Sequence, residues 1–312
     1  MPIPYMGSKR KTAQRIYQTI VNFNPNGKTL VDLFCGGFAI SEKFMRNNWK
    51  VIANDKNIYV IELLRKTIYE GLPETIVTKF VTREKFYDVL KNPEKYDKWF
   101  VGFIQCCYSF GNNQKGYLFG KETEGIKKAG HELVVNKKAT TLNGLIPQRY
   151  LDFILKQKDW HKRRIALVKV SKKVLKNKKL ELERLQQLER LIRLEQLQQL
   201  EQLQQLERLE LNSKDYKSVK IPKGAIIYCD PPYKGVAEYR EDGFNHSDFW
   251  DWVRKIAKTN KIYVSEYSAP DDFMPLLTYS QKSTLHGGTQ KHNEQPKENV
   301  FIPLNQEKFK KI

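Results

Sequence analysis

The sequence predicts an α/β protein, a doubly wound parallel sheet interrupted by an inserted, mainly helical region and a long leucine-repeat helix. Three observations carry this. Short apolar runs ending in a carboxylate or in glycines stand at 28–37, 50–55, 224–230 and 261–266. The first two alternate with helical patterns, the order that lays strands side by side in one direction. Between the second and third runs, the chain turns aromatic, then basic, then repetitive.

Taken in order, Lys28-Thr29-Leu30-Val31-Asp32-Leu33-Phe34-Cys35-Gly36-Gly37 reads as a buried strand entering a tight turn, because the apolar run is closed by paired glycines. A helix is expected over 39–47. Lys50-Val51-Ile52-Ala53-Asn54-Asp55 reads as the second strand, and 58–68 as the helix after it. Gly224-Ala225-Ile226-Ile227-Tyr228-Cys229-Asp230 and Lys261-Ile262-Tyr263-Val264-Ser265-Glu266 resume the texture. Residues 1–69 and 212–312 are therefore expected to form one domain, with 70–180 inserted and 181–211 a separate helical segment.

Two stretches of the insertion stand out. Eleven Lys or Arg lie between Ile154 and Leu180 against the single acid Asp159. This is either a solvated helix or a surface that faces nucleic acid. From Glu181 to Leu211, Leu recurs every third residue from 182 to 209. Each step of three falls about 60° short of a full turn, so in one α-helix these leucines wind around every face and make no flat seam. Leu, Gln, Glu and Arg all favour helix, and disorder is the alternative.

With 312 residues, 40% of them hydrophobic, the chain can bury a sizeable core. Lys plus Arg outnumber Asp plus Glu by 55 to 35, a formal net charge of +20 that favours a polyanionic partner, nucleic acid first. No run reaches the roughly 20 apolar residues of a membrane span, and the first residues lack a signal peptide's pattern, so a cytoplasmic protein is expected. Cys35, Cys106, Cys107 and Cys229 show neither disulfide nor zinc spacing, and the five histidines have no metal-like spacing. Free thiols and no metal are expected.

The chemistry concentrates in two short signatures. In Asp230-Pro231-Pro232-Tyr233, two prolines stiffen the chain leaving the strand and remove two backbone donors, so the pocket there is lined with acceptors. An exocyclic amine such as adenine N6 is a poor nucleophile. Accepting both its hydrogens, on the Asp230 carboxylate and a proline carbonyl, restores lone-pair density for attack on a sulfonium methyl, while Tyr233 offers a flat surface for an extruded base. The second signature is the glycine turn after Asp32, with Asp55 placed to close the second strand and grip ribose hydroxyls. Its pairing with the Asp-Pro-Pro-Tyr strand favours S-adenosylmethionine over NAD.

With these residues, the sequence resembles the Dam-like DNA adenine-N6 methyltransferases, and phage-type members of that family in particular. Pro4-Tyr5-Met6-Gly7-Ser8-Lys9 is similar to the family's N-terminal motif, Asp32 to Gly37 to its glycine motif, Asn54-Asp55-Lys56-Asn57 to its Asp-Ile-Asn segment and Asp230 to Tyr233 to its catalytic tetrapeptide. The resemblance implies a Rossmann-like methyltransferase fold acting on duplex DNA with S-adenosylmethionine. It implies that Asp230, Pro231, Pro232 and Tyr233 are catalytic, and that Tyr5, Lys9, Asp32, Phe34, Cys35, Gly36 and Asp55 frame the cofactor with Asp230. Cys107 to Tyr117 resembles the family's recognition loop. There Asn112, Asn113, Gln114 and Lys115 either contact DNA or serve as plain turn residues, and Lys162, Arg163 and Arg164 are expected to meet phosphates. A partner restriction endonuclease leaves no signature in the sequence.

One departure is informative: the family places glycine where this chain has Phe38. If that position needs positive φ, the phenylalanine is strained. The same chemistry serves cytosine N4, RNA adenine or a protein glutamine. The carboxylate at 230 favours adenine among these, and a decayed site that only binds DNA is the alternative from another class. Cys35 and Cys229 read as small buried residues, not nucleophiles.

Overall fold

A computed structural model describes residues 2–139, 142, 146–174, 189–203, 206–233, 243–280 and 297–306. Among them, strands β1 (Thr29–Asp32), β2 (Lys50–Asn54), β3 (Leu209–Asn212), β4 (Ile226–Cys229), β5 (Lys261–Glu266), β6 (Phe273–Ser280) and β7 (Lys297–Pro303) form one sheet in the order β3-β2-β1-β4-β5-β7-β6. Strands β1 to β5 pair in parallel, and β7 runs antiparallel to both β5 and β6. The expected α/β fold class is therefore observed. All four sequence-read strands lie where the apolar runs stand, and β3, β6 and β7 are additional.

The alternation of strand side chains splits the core into two layers. Leu30, Val51, Ala53 and Tyr228 face one cluster, which holds Ile16 and Ile20 of α1 (Ala13–Phe23), Phe44 of α2 (Ala39–Met45), and Val60 and Leu64 of α3 (Ile58–Arg65). Val31, Ile52, Ile227 and Val264 face the other, against Phe249, Trp250 and Val253 of α11 (His246–Ile256). Helix α3 begins where Asn57 caps it, its side chain accepting from the Tyr59 and Val60 amides. It continues into a π-helical turn, Lys66–Glu70.

The insertion departs after α3 and returns as β3. Its helices are α4 (Glu74–Thr78), α5 (Arg83–Lys91), α6 (Lys98–Cys107), α7 (Lys121–Val134), α8 (Gln148–Leu155), α9 (Trp160–Val174) and α10 (Glu189–Leu200). They share the first core cluster with α3. Helix α6 crosses α3 closely enough that a Cβ on Gly102 would lie 2.1 Å from the Tyr59 carbonyl oxygen. All four cysteines are buried free thiols.

The leucine repeat is helical only in part. Its residues 181–188 lie outside the described residues, but in α10 Leu191, Leu194, Leu197 and Leu200 are all buried, as is Arg193. The drift of about 60° per step fans four such leucines across half the helix circumference, which suits a helix embedded on several sides. The expected helix to 211 is corrected: Leu209–Asn212 is strand β3, paired to β2 from Val51↔Leu209 to Asn54↔Asn212. Leu209 and Leu211 are buried and Glu210 is exposed, a period of two. The sheet therefore claims residues that the repeat pattern had assigned to helix.

Phe38 stands just before α2 at φ 70°, ψ 18°, with its side chain fully buried. The position is left-handed, and the ring is retained as core in spite of it. Phe38→Ala keeps the strain and opens a cavity, whereas Phe38→Gly opens the cavity but relieves the strain. Both variants should melt below the parent, with the glycine variant about 1 kcal/mol more stable than the alanine variant in denaturant titrations.

Candidate active site at the carboxyl ends of β1 and β4

Asp32 pairs opposite Tyr228, so the loops leaving β1 and β4 are neighbours, and the Leu33 amide donates to the Tyr228 carbonyl at 3.0 Å. The sheet order reverses here, the place where open α/β sheets leave a crevice beyond their strand ends. The N-terminal segment lies across it. The Ile3 amide donates to the Gly37 carbonyl at 3.0 Å, and the Tyr5 ring covers Gly36, where a Cβ would come within 2.8 Å of it. Gly36 has φ +43°, so glycine meets both the turn's backbone and its crowding.

Asp55, at the end of β2, accepts from the Gly36 amide through Oδ2 and from the Asn57 amide through Oδ1, each at 2.9 Å. Burial raises its pKa against the pull of these two bonds. Asp32 is 1% exposed; Oδ2 accepts from the Ser41 hydroxyl at 2.7 Å, and Oδ1 is buried with no hydrogen-bond partner. Burial is the main force pushing Asp32 up to about 7, with the Ser41 bond opposing it and the Asp230 and Asp55 charges adding to it. Phe34 packs with Tyr216, Phe244 and Phe249. Cys35 is buried, and its amide donates to the Asn54 carbonyl at 2.8 Å.

Asp230 follows β4 directly. Its Oδ1 receives the Lys9 ammonium at 2.7 Å and the Tyr233 hydroxyl at 2.8 Å. Lys9 is 4% exposed and also meets Glu298 Oε1 at 3.0 Å, while Tyr233 and Tyr279 (2.8 Å) both direct hydroxyls at that oxygen. Burial works against the charged Lys9, but the two carboxylates outweigh it and hold its pKa above the ordinary lysine value. Burial raises Asp230 to about 6, with Lys9 opposing and Glu298 reinforcing. Pro231 is buried, and Pro232 and Tyr233 are half-buried. The Tyr233 ring lies edge-on to Tyr267, centroids 4.8 Å apart, with the Lys9 ammonium 4.8 Å from its centre.

The structure thus brings Tyr5, Lys9, Asp32, Cys35, Gly36, Asp55, Asp230 and Tyr233 to one end of the sheet. It turns the Lys9 ammonium toward the two carboxylates. Glu298, Tyr279 and Tyr267 are additions that sequence reading missed. Tyr279 and Glu298 stand opposite each other in the β6–β7 ladder, and the available signal was the apolar run after Lys297.

The recognition loop is partly tied to the same end. Gln114, at φ 62°, accepts from the Asn57 side chain at 3.1 Å, and Asn113 closes the turn by accepting from the Lys115 and Gly116 amides. Asn112 is left-handed with a buried Oδ1 that has no hydrogen-bond partner, and Lys115 is exposed. The basic trio divides. Lys162 is exposed, but Arg164 is held by Glu195 at 2.8 Å and Arg163 is 5% exposed, its guanidinium donating to the Val134, Val135, Gln157 and Lys158 carbonyls. The expected phosphate contact of Arg163 is therefore corrected: the side chain joins α7 to the turn before α9. Among the described residues, no group of three or more His, Cys, Asp or Glu could hold a metal, and no helix is long and apolar enough to cross a membrane.

Comparison with known proteins identifies the family. A family described as D12 class N6 adenine-specific DNA methyltransferase matches residues 5–265. The type II methyltransferase M.FokI of Planomicrobium okeanokoites is similar, 30% identical over 146 residues, which is 41% of this chain and 22% of that protein. The chain therefore spans well under half the length of that relative.

The raised Asp32 pKa has a signed consequence for stability. The native state keeps a proton that the unfolded chain releases, so this contribution is complete below about pH 4 and is lost as pH rises toward about 7. Asp32→Asn removes that slope. In thermal melts of the ligand-free protein, the variant should gain on the parent between pH 5 and pH 7 by up to about 1.4 kcal/mol per pH unit; parallel pH profiles would contradict the assignment.

Proposed function

Because the chain belongs to the D12 class of N6 adenine-specific DNA methyltransferases, we propose that it transfers a methyl group from S-adenosylmethionine to N6 of an adenine turned out of duplex DNA. The observation that supports this most is the Asp230 carboxylate at the end of β4, one oxygen fixed by Lys9 and the Tyr233 hydroxyl, beside the glycine turn.

The residues present fit the cofactor. Asp32, Asp55 and Asp230 surround the turn with carboxylates, suiting a cationic ligand, and Asp32 Oδ1 is buried without a partner of its own. Asp55 would take the ribose hydroxyls on lone pairs that the Gly36 and Asn57 amides leave over, with Tyr5, Phe34, Cys35 and Gly36 shaping the cleft. When bound, S-adenosylmethionine supplies an electrophilic methyl on a sulfonium. The chain does the rest. Asp230 and the Pro231 carbonyl accept the two amine hydrogens, which keeps the nitrogen lone pair available and aims it. Lys9 fixes the Asp230 carboxylate in one orientation, so no reorganisation is needed at reaction. Pro232 and the Tyr233 ring hold the base.

The DNA partner is supported by the net charge of +20 and by exposed Lys156, Lys158, Lys162 and Lys169 on and beside α9. Asn112, Gln114 and Lys115 are the proposed readers of base edges, while Asn113 serves the turn. The likeness to a type II methyltransferase supports a protective mark set against a restriction endonuclease.

Incubation with methyl-labelled cofactor and DNA, followed by digestion to nucleosides, should give N6-methyladenine; N4-methylcytosine in its place would overturn the reading. Asp230→Ala should lower single-turnover methyl transfer by at least about 100-fold. Its DNA affinity and salt slope should stay as in the parent, since phosphate contacts set them.

A further inference from the structure

Glu298 has no place in the mechanism above, although it is 3% exposed and lies within reach of every group that holds Asp230. The hydrogen-bond arithmetic around it is incomplete as two ionised carboxylates. The Tyr233 hydroxyl has one hydrogen, yet it reaches both Asp230 Oδ1 at 2.8 Å and Glu298 Oε1 in close contact. It can donate to only one, and the other contact then sets lone pair against lone pair unless that carboxyl carries a proton. The charges lead to the same result. Lys9, at 2.7 Å from one and 3.0 Å from the other, offers one positive charge to two negative ones in a buried site. One added proton completes both counts.

We propose that the proton the adenine amine gives up on methylation passes to Asp230 while the Tyr233 hydroxyl turns from Asp230 to Glu298, and that Glu298 positions this exchange. The inference rests on the proposed function. In the step itself, the N6 lone pair bonds to the methyl carbon, the carbon–sulfur bond breaks and its electron pair leaves with sulfur. The nitrogen is left cationic, and one of its hydrogens passes as a proton to Asp230. Tyr233 then turns its hydrogen to Glu298, whose remaining charge Lys9 balances. The proton leaves for water from Asp230, whose side chain is 17% exposed, when the product departs. Glu298 is in this sense a positioning residue acting through Tyr233 and Lys9.

The groups facing the pair are Lys9 from the N-terminal segment, Tyr228 and Tyr233 around the end of β4, Tyr267 after β5, Tyr279 on β6, and Asp32 on β1 at longer range. Glu298→Gln keeps the shape and removes the repulsion felt by Asp230, so a proton on Asp230 should bind more weakly. In the full chain, the acid limb of single-turnover methyl transfer should move down by about one pH unit. The protonated-carboxyl infrared band of the ligand-free protein, followed as a parent-minus-variant difference, should shift likewise. Tyr279→Phe removes a donor to Glu298 and should move both readings the opposite way, which also covers a glutamine variant that fails to fold. Opposite shifts support the pair; a parent that methylates adenine while neither variant moves either reading overturns it. A parent that forms no N6-methyladenine overturns the function itself.

Discussion

The site depends on one buried lysine charge held between two carboxylates that are distant in sequence. Lys9 comes from the segment that crosses the carboxyl ends of the central strands, Asp230 from the end of β4 and Glu298 from β7. Such a triad needs supporting hydrogen bonds, and here two tyrosine hydroxyls donate to the carboxylates while the Gly7 carbonyl accepts from Lys9. Removing one member of a buried ion pair typically costs about 3–5 kcal/mol, because the partner charge is left uncompensated, and here the pairing ties the N-terminal segment to β4 and β7. The same segment brings Tyr5 against Gly36. One electrostatic arrangement therefore shapes both the Asp230 corner and the glycine turn.

That arrangement requires the topology observed. Parallel pairing of β1 with β4 puts the glycine turn beside Asp230, and the antiparallel return of β7 alongside β5 carries Glu298 to the same end. Two further carboxylates, Asp32 and Asp55, face the turn. Burial raises the pKa of each.

The parts legible in the sequence were those written in consecutive residues. The four strands with unbroken apolar runs, the glycine turn and the Asp-Pro-Pro-Tyr end could all be read, because strand burial and turn chemistry are local. Phe38 was legible as a conflict, and its left-handed backbone is the form that conflict takes. Strand β3 was hidden because its Leu-Glu-Leu alternation sits inside a period-three repeat. Strand β6 contains Pro275 and has a register shift beside it, as an edge strand tolerates and a local reading discounts. Glu298 carries no motif, and only the β6–β7 ladder sets it against Tyr279. Arg163 and Arg164 counted toward a basic surface by composition, but composition cannot tell which face of α9 turns inward to carbonyls and to Glu195.

The most direct test is a crystal structure of the protein bound to S-adenosylhomocysteine. The account predicts the ribose on Asp55, the sulfur in the cleft beside Asp230, and Lys9 still seated between Asp230 and Glu298. A cofactor lodged elsewhere, or a Lys9 drawn away from both carboxylates onto the ligand, would contradict it.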